Sequence, residues 1–512
     1  NIVLLRKERY MTIYSFNLGI GWASSGVEYA QLYRAQIFRN LKQKAKFVFL
    51  DLITGDNIEH LTHNIGFTDD EIIWIYQYFS DIKIEPTSYS LKQLENSFSL
   101  PFDRIEQNTG YVRYIFDKAN VMVTAYFAKK NKNVVERAEY VSRGKLIRKD
   151  YYTHTKLFSE YYTPRDNRAY VYERRFFNQD GSIALEEIVD GESSMFRLKN
   201  QVIQGKNGLI AYFLKSLNLT KTDIIILDRA TNIGSTIFKY SAPAKLGVVV
   251  HAEHFNDNQT DEQNVLWNNF YEYQFDQVKN VDFLITATQS QEEVLRRHFD
   301  QYTAYTPNIV TIPVGNLNKL HIPLKARKTH SLITASRLAN EKHVDWLVSA
   351  VIKAKEVVPD ITFDIYGKGG EEQKIRKIIN DNHAQDYIKL MGHSELTQVY
   401  QKYDAYISAS TSEGFGLTLM EAVGSGLPII GFDVRYGNQT FIQNKKNGYL
   451  ITYDKSDDIS IIISKLTHDI IVLYTEHHLA DFEQQSYNIA KDYLIDEVQQ
   501  KWQNLIERAL ND

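Results

Sequence analysis

The sequence predicts an α/β protein of two Rossmann-like domains, with a mainly antiparallel β-sheet domain inserted into the first. Three observations predict this class. Short buried-type strands alternate with helix-length segments in both the early and the late parts of the chain, whereas alternating apolar and polar runs replace them in between. The length of 512 residues also suits about three domains. We therefore expect a nested rather than a linear domain order.

The first Rossmann-like domain opens with a strand, a loop of small residues at Gly19–Gly26 and a helix from about Val27 to Arg39. Such a loop before a helix lets a phosphate group approach the backbone. The glycine spacing matches neither the G-x-G-x-x-G fingerprint nor a P-loop, which disfavours a dinucleotide oxidoreductase or an NTPase. Buried-type strands resume at Ile224–Asp228, Leu246–His251 and Asp282–Thr288.

The inserted sheet is predicted between about Asn108 and Asn200, with a hairpin turn at Asp180–Gly181. From Arg104 to Arg175 there are 16 Lys and Arg residues but only 8 Asp and Glu residues, and ten of the 34 tyrosines lie between Tyr111 and Tyr172. The basic, aromatic character fits either a solvated outer face or a docking surface for an acidic partner, an acceptor or an anionic membrane.

The second Rossmann-like domain is predicted after Pro313. Its expected strands are Ser331–Ser336, Ile361–Tyr366, Ile388–Met391, Ala405–Ser410 and Leu427–Phe432, and Leu479–Leu510 has a helical pattern. The expected domains are residues 11–45 with 206–313 and the C-terminal helix 490–512, the insert at 46–205, and the second Rossmann-like domain at 314–489.

Composition excludes several classes of function. With no cysteine, the chain cannot use a thiolate nucleophile, a disulfide or an iron–sulfur cluster. A net charge of −4 argues against nucleic-acid binding over the whole surface. No apolar stretch has the length of a membrane span, and Asn1–Tyr10 carries charges where a signal peptide needs apolar residues. We therefore expect a cytoplasmic protein, and the first ten residues are as compatible with upstream sequence as with the native start.

The strongest local motif is Ser410–Pro428, STSEGFGLTLMEAVGSGLP. A strand ends at Ser410, and a helix is predicted to begin near Leu417 and to stop before Gly424 or Gly426. Backbone N–H groups at the start of this helix suit a diphosphate or sugar oxygens. Glu413 and Glu421, eight residues apart, would line a cleft; alternatively, the first caps the helix and the second is solvated.

Three further segments follow predicted strands. In ASRLANEKH, Arg337 and Lys342 could stabilise an anionic leaving group, although both cations would be merely solvated in an ordinary surface loop. In MGHS, His393 could support a base. His251 ends a strand and could project into a cleft, but a structural role is equally compatible with that position. The sequence H-A-E-H around it resembles a metal cluster only superficially, and we expect no required metal.

Taken together, ASRLANEKH, YGKGG and SEGFGLTLMEAVGSGLP, in this order at strand ends, resemble the retaining glycosyltransferases of family 4, which have the GT-B fold. This pattern covers about Val314 to Asn447. The early segment NLGIGWASSGVEYAQLYRAQ more narrowly resembles the catalytic A subunits of bacterial accessory-secretion O-glycosyltransferases. Those enzymes add N-acetylglucosamine to Ser and Thr residues of serine-rich repeat adhesins, and they also carry a β-sheet insert.

The resemblance implies a role for each motif residue. Glu413 and His251 would contact the donor sugar, Glu421 the ribose hydroxyls, and Arg337 and Lys342 the diphosphate. The remaining donor-binding positions would be Ser25, Gly26 and Val27 over the phosphates, His393 and Ser394 at the uracil, and Gly414, Phe415, Gly416, Leu417 and Thr418 around the helix start.

The implied function is transfer of N-acetylglucosamine from UDP-GlcNAc, with UDP-glucose left open as a donor and no cofactor required. The implied partners are a companion B subunit and a serine-rich acceptor, with no nucleic acid and with possible peripheral attachment to the inner face of the membrane. Three alternatives remain at this point. They are a teichoic-acid or lipid-linked glycosyltransferase, a UDP-sugar epimerase, and a non-catalytic companion subunit that binds acceptor.

Overall fold

The computed structural model describes residues 11–21, 26–128, 131–476 and 479–511. These residues pack as two units. One consists of the chain up to Val248 together with Glu272–Asn280, and the other consists of Val249–Tyr271 together with the chain from Val281 onwards.

The first unit begins with an α/β segment of short, mostly apolar strands. Its elements are β1 (Ile13–Asn17), α1 (Gly26–Asn40), β2 (Ala45–Phe49), α2 (Ile58–Ile65) and β3 (Ile72–Trp74). Every residue of β1 is buried, as expected for the centre of a parallel sheet that is covered on both faces.

An antiparallel domain follows. Its elements are α3 (Leu91–Asn96), β4 (Arg104–Gln107), β5 (Tyr111–Phe116), β6 (Val121–Ala128), β7 (Asn131–Ser142), β8 (Lys145–Tyr152), β9 (Lys156–Arg165), β10 (Arg168–Phe177), β11 (Ile183–Asp190), β12 (Ser193–Leu198) and β13 (Gln201–Gln204). The ten strands pair in chain order. In the turn between β10 and β11, Gly181 has a φ of +81°, a conformation that favours glycine. The predicted antiparallel insert and its Asp180–Gly181 turn are confirmed.

The parallel sheet then resumes with α4 (Gly205–Ser216), β14 (Ile224–Leu227), α5 (Gly234–Tyr240), β15 (Lys245–Val250) and α6 (Glu272–Asp276). Within this unit the strands lie in the order β15-β14-β1-β2-β3, all parallel. Because β2 and β3 belong to this sheet, the expected insert boundary at residue 46 is too early. The antiparallel strands themselves run from Arg104 to Gln204.

Aromatic side chains attach the insert to the parallel sheet. Trp74, at the end of β3, lies with its ring centroid 6.0 Å from those of both Phe158 and Phe176. Tyr76 lies 5.5 Å from Phe176 and 6.1 Å from Phe196. Aromatic contacts of this kind bury large apolar areas with defined ring geometry, and so fix the insert on its support.

The second unit contains β16 (Phe283–Thr286), α7 (Gln289–Tyr302) and β17 (Ile309–Thr311), followed by a second α/β series. This series consists of β18 (Ser331–Ala335), α8 (Val344–Ala354), β19 (Thr362–Tyr366), α9 (Glu372–Asp381), β20 (Ile388–Gly392), β21 (Ala405–Ile407), α10 (Leu417–Gly424), β22 (Ile429–Phe432), α11 (Gly437–Phe441), β23 (Gly448–Ile451), α12 (Ile459–Thr475), α13 (Leu479–Ala490) and α14 (Ile495–Asn511).

Strands β18 to β23 form a parallel sheet in the order β20-β19-β18-β21-β22-β23. The order reverses between β18 and β21, and ligands of open α/β sheets bind outside the carboxyl ends of the strands at such a point. The five strands predicted here are confirmed, whereas β23 was not predicted. Within the described residues, no helix combines the length and the apolar content needed to cross a bilayer.

A buried ion pair holds α1 on the first sheet. The Arg34 guanidinium donates to both carboxylate oxygens of Asp228 at 2.9 Å, and the two side chains are 3% and 0% exposed. The Ser15 hydroxyl from β1 donates to the same carboxylate at 2.6 Å. Removing one member of such a pair leaves a buried charge without its counter-charge.

We expect Arg34→Ala to lower the free energy of unfolding of the first unit by about 3 to 5 kcal/mol. Urea unfolding followed by circular dichroism measures this change. Arg104→Ala is the matched control, because Arg104 pairs with Asp117 on an exposed surface and its loss should matter little. Equal destabilisation by the two variants would contradict the role given to the buried pair.

Candidate functional site

The predicted site residues of the second unit follow strands of one parallel sheet. Arg337 and Lys342 follow β18, His393 follows β20, and Glu413 follows β21. Because the carboxyl ends of parallel strands meet at one edge, these loops share the edge at which the strand order reverses.

Glycines let the loop after β19 contact the loop after β18 through their main chains. Gly367 has a φ of +133°, and a Cβ atom there would lie 1.8 Å from the carbonyl oxygen of Ser336. A Cβ atom on Gly369 would lie 2.3 Å from the carbonyl oxygen of Leu338. The YGKGG motif therefore has a physical reason: it allows the loop after β19 to pack directly on the loop that carries Arg337.

Lys342 and Glu413 are brought together. The Lys342 ammonium donates to Glu413 Oε2 at 2.6 Å and to Ser410 Oγ at 3.2 Å. The two charged side chains are 17% and 24% exposed, so water only partly screens them. The N-cap position of α10 is Gly416, and the Glu413 carboxylate is engaged by Lys342 rather than at that cap.

Arg337 is placed differently. Its side chain is 75% exposed and its guanidinium pairs with Glu341 at 3.0 Å. The two predicted cations thus engage different carboxylates. An exposed pair of this kind contributes little stability, so the Arg337 side chain can change partners at little cost.

The helix that was predicted to begin near Leu417 is α10, which starts there. Tyr406, buried on β21, holds its first turn in place. The Tyr406 hydroxyl lies 3.0 Å from both the carbonyl oxygen of Ala335 and the Thr418 hydroxyl. Phe415 and Gly416 are buried in the turn before the helix, while Leu417 and Thr418 are half-buried.

Glu421 lies one turn further along α10. The Tyr400 hydroxyl donates to Glu421 Oε2 at 2.9 Å. Burial raises the pKa of the Glu421 carboxyl to about 7, although the bond from Tyr400 lowers it. This carboxyl therefore changes charge near neutral pH.

The main chain of His251 packs against the same motif. A Cβ atom on Gly414 would lie 2.9 Å from the carbonyl oxygen of His251. His251 itself is half-buried at the end of β15. Its location beside the Ser410–Pro428 motif is compatible with the predicted contact to a bound sugar.

The residues after His251 fix this loop to the segment before α11. The Tyr436 hydroxyl donates to the Glu253 carboxylate, and Arg435 lies 3.5 Å from the same carboxylate. His254 is fully buried, and its Nε2 lies 3.2 Å from Nδ1 of His298. Burial lowers the pKa of His254 to about 3, so its ring is neutral and serves packing.

The remaining predicted residues lie at other places. His393 and Ser394 are exposed in the loop after β20. Gly26 and Val27 form the first turn of α1 in the first unit, and Ser25 lies outside the described residues. In the part of the chain that the structure describes, one group of metal-ligand side chains comes together, and it belongs to the first unit: Glu59, His63 and Asp69.

Sequence reasoning missed the residues that position the motif. Ser410 could have been noticed, since it lies three residues before Glu413 in the same loop. Three tyrosines could not have been noticed: Tyr400, Tyr406 and Tyr436. Each bonds to a residue that is distant in the sequence, and a tyrosine in or beside a buried-type strand carries no local signal.

Comparisons with known proteins show which families this chain resembles. Residues 104–200 match the family described as GtfA extended beta-sheet domain, and residues 319–485 match glycosyl transferases group 1. The UDP-N-acetylglucosamine–peptide N-acetylglucosaminyltransferase GtfA subunit of Streptococcus agalactiae is 50% identical over 503 residues, covering 98% of this chain and 99% of that protein.

Two solved structures are similar over 98% of this chain and 100% of theirs, each at 49% identity. One is the pneumococcal O-GlcNAc transferase GtfA in complex with UDP and GlcNAc, with a TM-score of 0.93. The other is a GtfA/B complex, with a TM-score of 0.94. The predicted GT-B fold class is confirmed by this similarity and by the glycosyltransferase match.

The raised pKa of Glu421 predicts a pH-dependent stability. Between its ordinary value of 4.5 and about 7, the folded chain holds this proton and the unfolded chain releases it. The contribution of this group to the free energy of unfolding therefore falls as pH rises through that range. We expect the Tm of Glu421→Gln to fall less than that of the parent chain between about pH 5 and about pH 7.5.

Tyr400→Phe is the companion variant. It removes the bond that lowers the Glu421 pKa, so the decline in Tm should extend to higher pH. Thermal unfolding in a pH series measures both variants. Parallel Tm–pH curves for the parent chain and Glu421→Gln would show that Glu421 does not titrate in this range.

Proposed function

This chain belongs to the family of GtfA subunits of UDP-N-acetylglucosamine–peptide N-acetylglucosaminyltransferases, and we propose that it transfers GlcNAc from UDP-GlcNAc to Ser and Thr hydroxyls of a serine-rich repeat adhesin. This would be the first step of the adhesin's O-glycosylation. The observation that carries the proposal is the partly desolvated Lys342–Glu413 pair beside α10, at the edge where the strand order reverses. We call this arrangement the donor site.

The donor site offers suitable chemistry for each part of a UDP-sugar. Lys342 and the first turn of α10 face the diphosphate, and Arg337 leaves Glu341 to join them. Glu421 receives the ribose hydroxyls, and Glu413 and His251 contact the sugar. His393 and Ser394 receive the uracil.

The reaction retains the configuration of the sugar. The bond between the anomeric carbon and the β-phosphate oxygen breaks, and UDP leaves with the electron pair, stabilised by Lys342 and Arg337. The acceptor hydroxyl oxygen forms the new bond on the same face, and its proton passes to the β-phosphate. Glu413 is a poor candidate for a covalent nucleophile, because the Lys342 ammonium occupies its carboxylate at 2.6 Å. No cofactor is required, since the cations belong to the protein.

For the companion B subunit and the acceptor, we propose a docking surface at one edge of the inserted sheet. In an antiparallel sheet ordered along the chain, alternate turns share an edge. The turns β5–β6, β7–β8 and β9–β10 do so, and they carry the exposed cations Lys118, Arg143, Lys145, Arg165 and Arg168. We call these five residues the basic edge.

The same edge suits an acidic partner or an anionic membrane. We place the enzyme in the cytoplasm, as part of an accessory secretion route, with the basic edge as the means of any peripheral membrane contact.

Lys342→Ala should lower turnover of UDP-GlcNAc and a serine-rich peptide by at least about 100-fold, because the leaving diphosphate loses a partly buried cation. Arg337→Ala should also lower this turnover. Intact mass spectrometry of the peptide measures the transfer. Lys377→Ala is the matched control, since this exposed lysine pairs with Asp381 on the surface of α9 and should leave turnover unchanged.

Near-normal turnover in both Arg337→Ala and Lys342→Ala would refute the donor site. A panel of UDP-sugars, tested with and without the B subunit, separates this function from its alternatives. Transfer to a polyol-phosphate polymer but not to peptide would indicate a teichoic-acid transferase, and conversion of UDP-GlcNAc without acceptor would indicate an epimerase.

Reversing the charge of the basic edge should weaken the complex with the B subunit. We expect the combined variant Arg143→Glu, Arg165→Glu and Arg168→Glu to bind the B subunit at least about tenfold more weakly, with the loss shrinking at high salt. Surface plasmon resonance measures the affinity. The control is Lys374→Glu, Arg376→Glu and Lys377→Glu on α9, and equal affinity of both variants would contradict the assignment.

A further inference from the structure

Helix α2 and the turn before β3 bring three potential metal ligands together. Glu59 and His63 lie four residues apart on one helix face, and Asp69 follows in the next turn. One ligand atom from each residue lies within 4.8 Å of those of the others. Gly66, with a φ of +109°, ends the helix and turns the chain back towards it.

The turn that carries Asp69 is held firmly by its two acidic neighbours. The Glu71 carboxylate receives two bonds of 2.6 Å from the Arg39 guanidinium. Asp70 accepts a bond of 2.7 Å from the Thr68 hydroxyl. Asp69 is the exception of the three: its Oδ1 atom is buried and has no hydrogen-bond partner in the described part of the chain.

Glu59 is the second carboxylate of this group. Its side chain is 9% exposed, and Nδ1 of His63 lies 3.9 Å from its Oε1 atom, beyond hydrogen-bond length. Two carboxylates that lie close together with little water between them repel each other, and a cation bound between them removes this repulsion.

We propose that Glu59, His63 and Asp69 bind a first-row divalent metal ion such as Zn²⁺ or Mn²⁺. Two carboxylates and one imidazole suit such an ion, whereas Ca²⁺ and Mg²⁺ prefer oxygen ligands alone. In a bound site the ligand atoms lie about 3 to 3.5 Å apart, so the group must contract by about 1 Å. His63 permits this, because its side chain is 70% exposed and can turn. The open side leaves room for water ligands.

The ion would act as a structural clamp. It joins the end of α2 to the turn that leads into β3, and β3 carries Trp74, which supports the inserted sheet. Glu59, His63 and Asp69 take no part in the donor site, so transfer of GlcNAc does not depend on their chemistry.

The test uses the full chain without an affinity tag, freed of metal by a chelator and then titrated with ZnCl₂ or MnCl₂. We expect one equivalent to bind by isothermal titration calorimetry and to raise the Tm. His63→Ala and Asp69→Asn should each weaken binding at least about tenfold. The matched control is His468→Ala, which removes an exposed helical histidine elsewhere and should bind as the parent chain does.

A second measurement keeps the test valid if a variant folds poorly. Without metal, Asp69→Asn should be at least as stable as the parent chain, because it removes one of two facing carboxylates; with metal, the parent chain should become the more stable. Either absence of binding to the parent chain or equal binding by His63→Ala would overturn the proposal. Greater stability of Asp69→Asn both with and without metal would overturn it as well.

Discussion

The donor site depends on close main-chain contacts that glycine alone permits. A Cβ atom on Gly367 would lie 1.8 Å from the Ser336 carbonyl oxygen, and one on Gly437 would lie 2.1 Å from that of Phe415. The first contact positions the loop after β18, which carries Lys342, and the second positions the loop after β21, which carries Glu413. The 2.6 Å bond between these two side chains therefore rests on backbone packing that leaves no space for a larger residue.

The two cations of the donor site are prepared in different ways. Lys342 is mostly buried, and its bond to Glu413 fixes its orientation before any donor arrives. In the proposed reaction, an incoming diphosphate would thus meet a fixed cation with little reorganisation. Arg337 is exposed and weakly held by Glu341, so it can move onto a bound diphosphate. The fixed Lys342 would place the diphosphate precisely, and the mobile Arg337 would move onto it after binding.

Local patterns predicted the elements of the fold, and long-range contacts limited what could be predicted of the site. Five of the six strands from β18 to β23 and the start of α10 at Leu417 were predictable, because short apolar runs and glycine stops act within a few residues. The partner of Lys342 was not, since Glu413 lies 71 residues away. Likewise, the insert was predicted to begin too early, because β2 and β3 are short and carry little pattern of their own. Only the pairing of β2 with β1 and of β3 with β2 places them in the parallel sheet.

The charge of the insert illustrates why a count of residues is not a surface potential. Many of its cations are paired with carboxylates on the same or neighbouring strands: Arg174, for example, pairs at 2.9 Å with both Glu160 and Glu187, and all three side chains are largely buried. Such pairs stabilise or orient the sheet but present little charge to a partner. The cations at the turns, such as Arg143 and Arg168, are exposed and so retain their long-range field. Electrostatic attraction of an acidic partner must therefore act at the edge of the sheet rather than across its face.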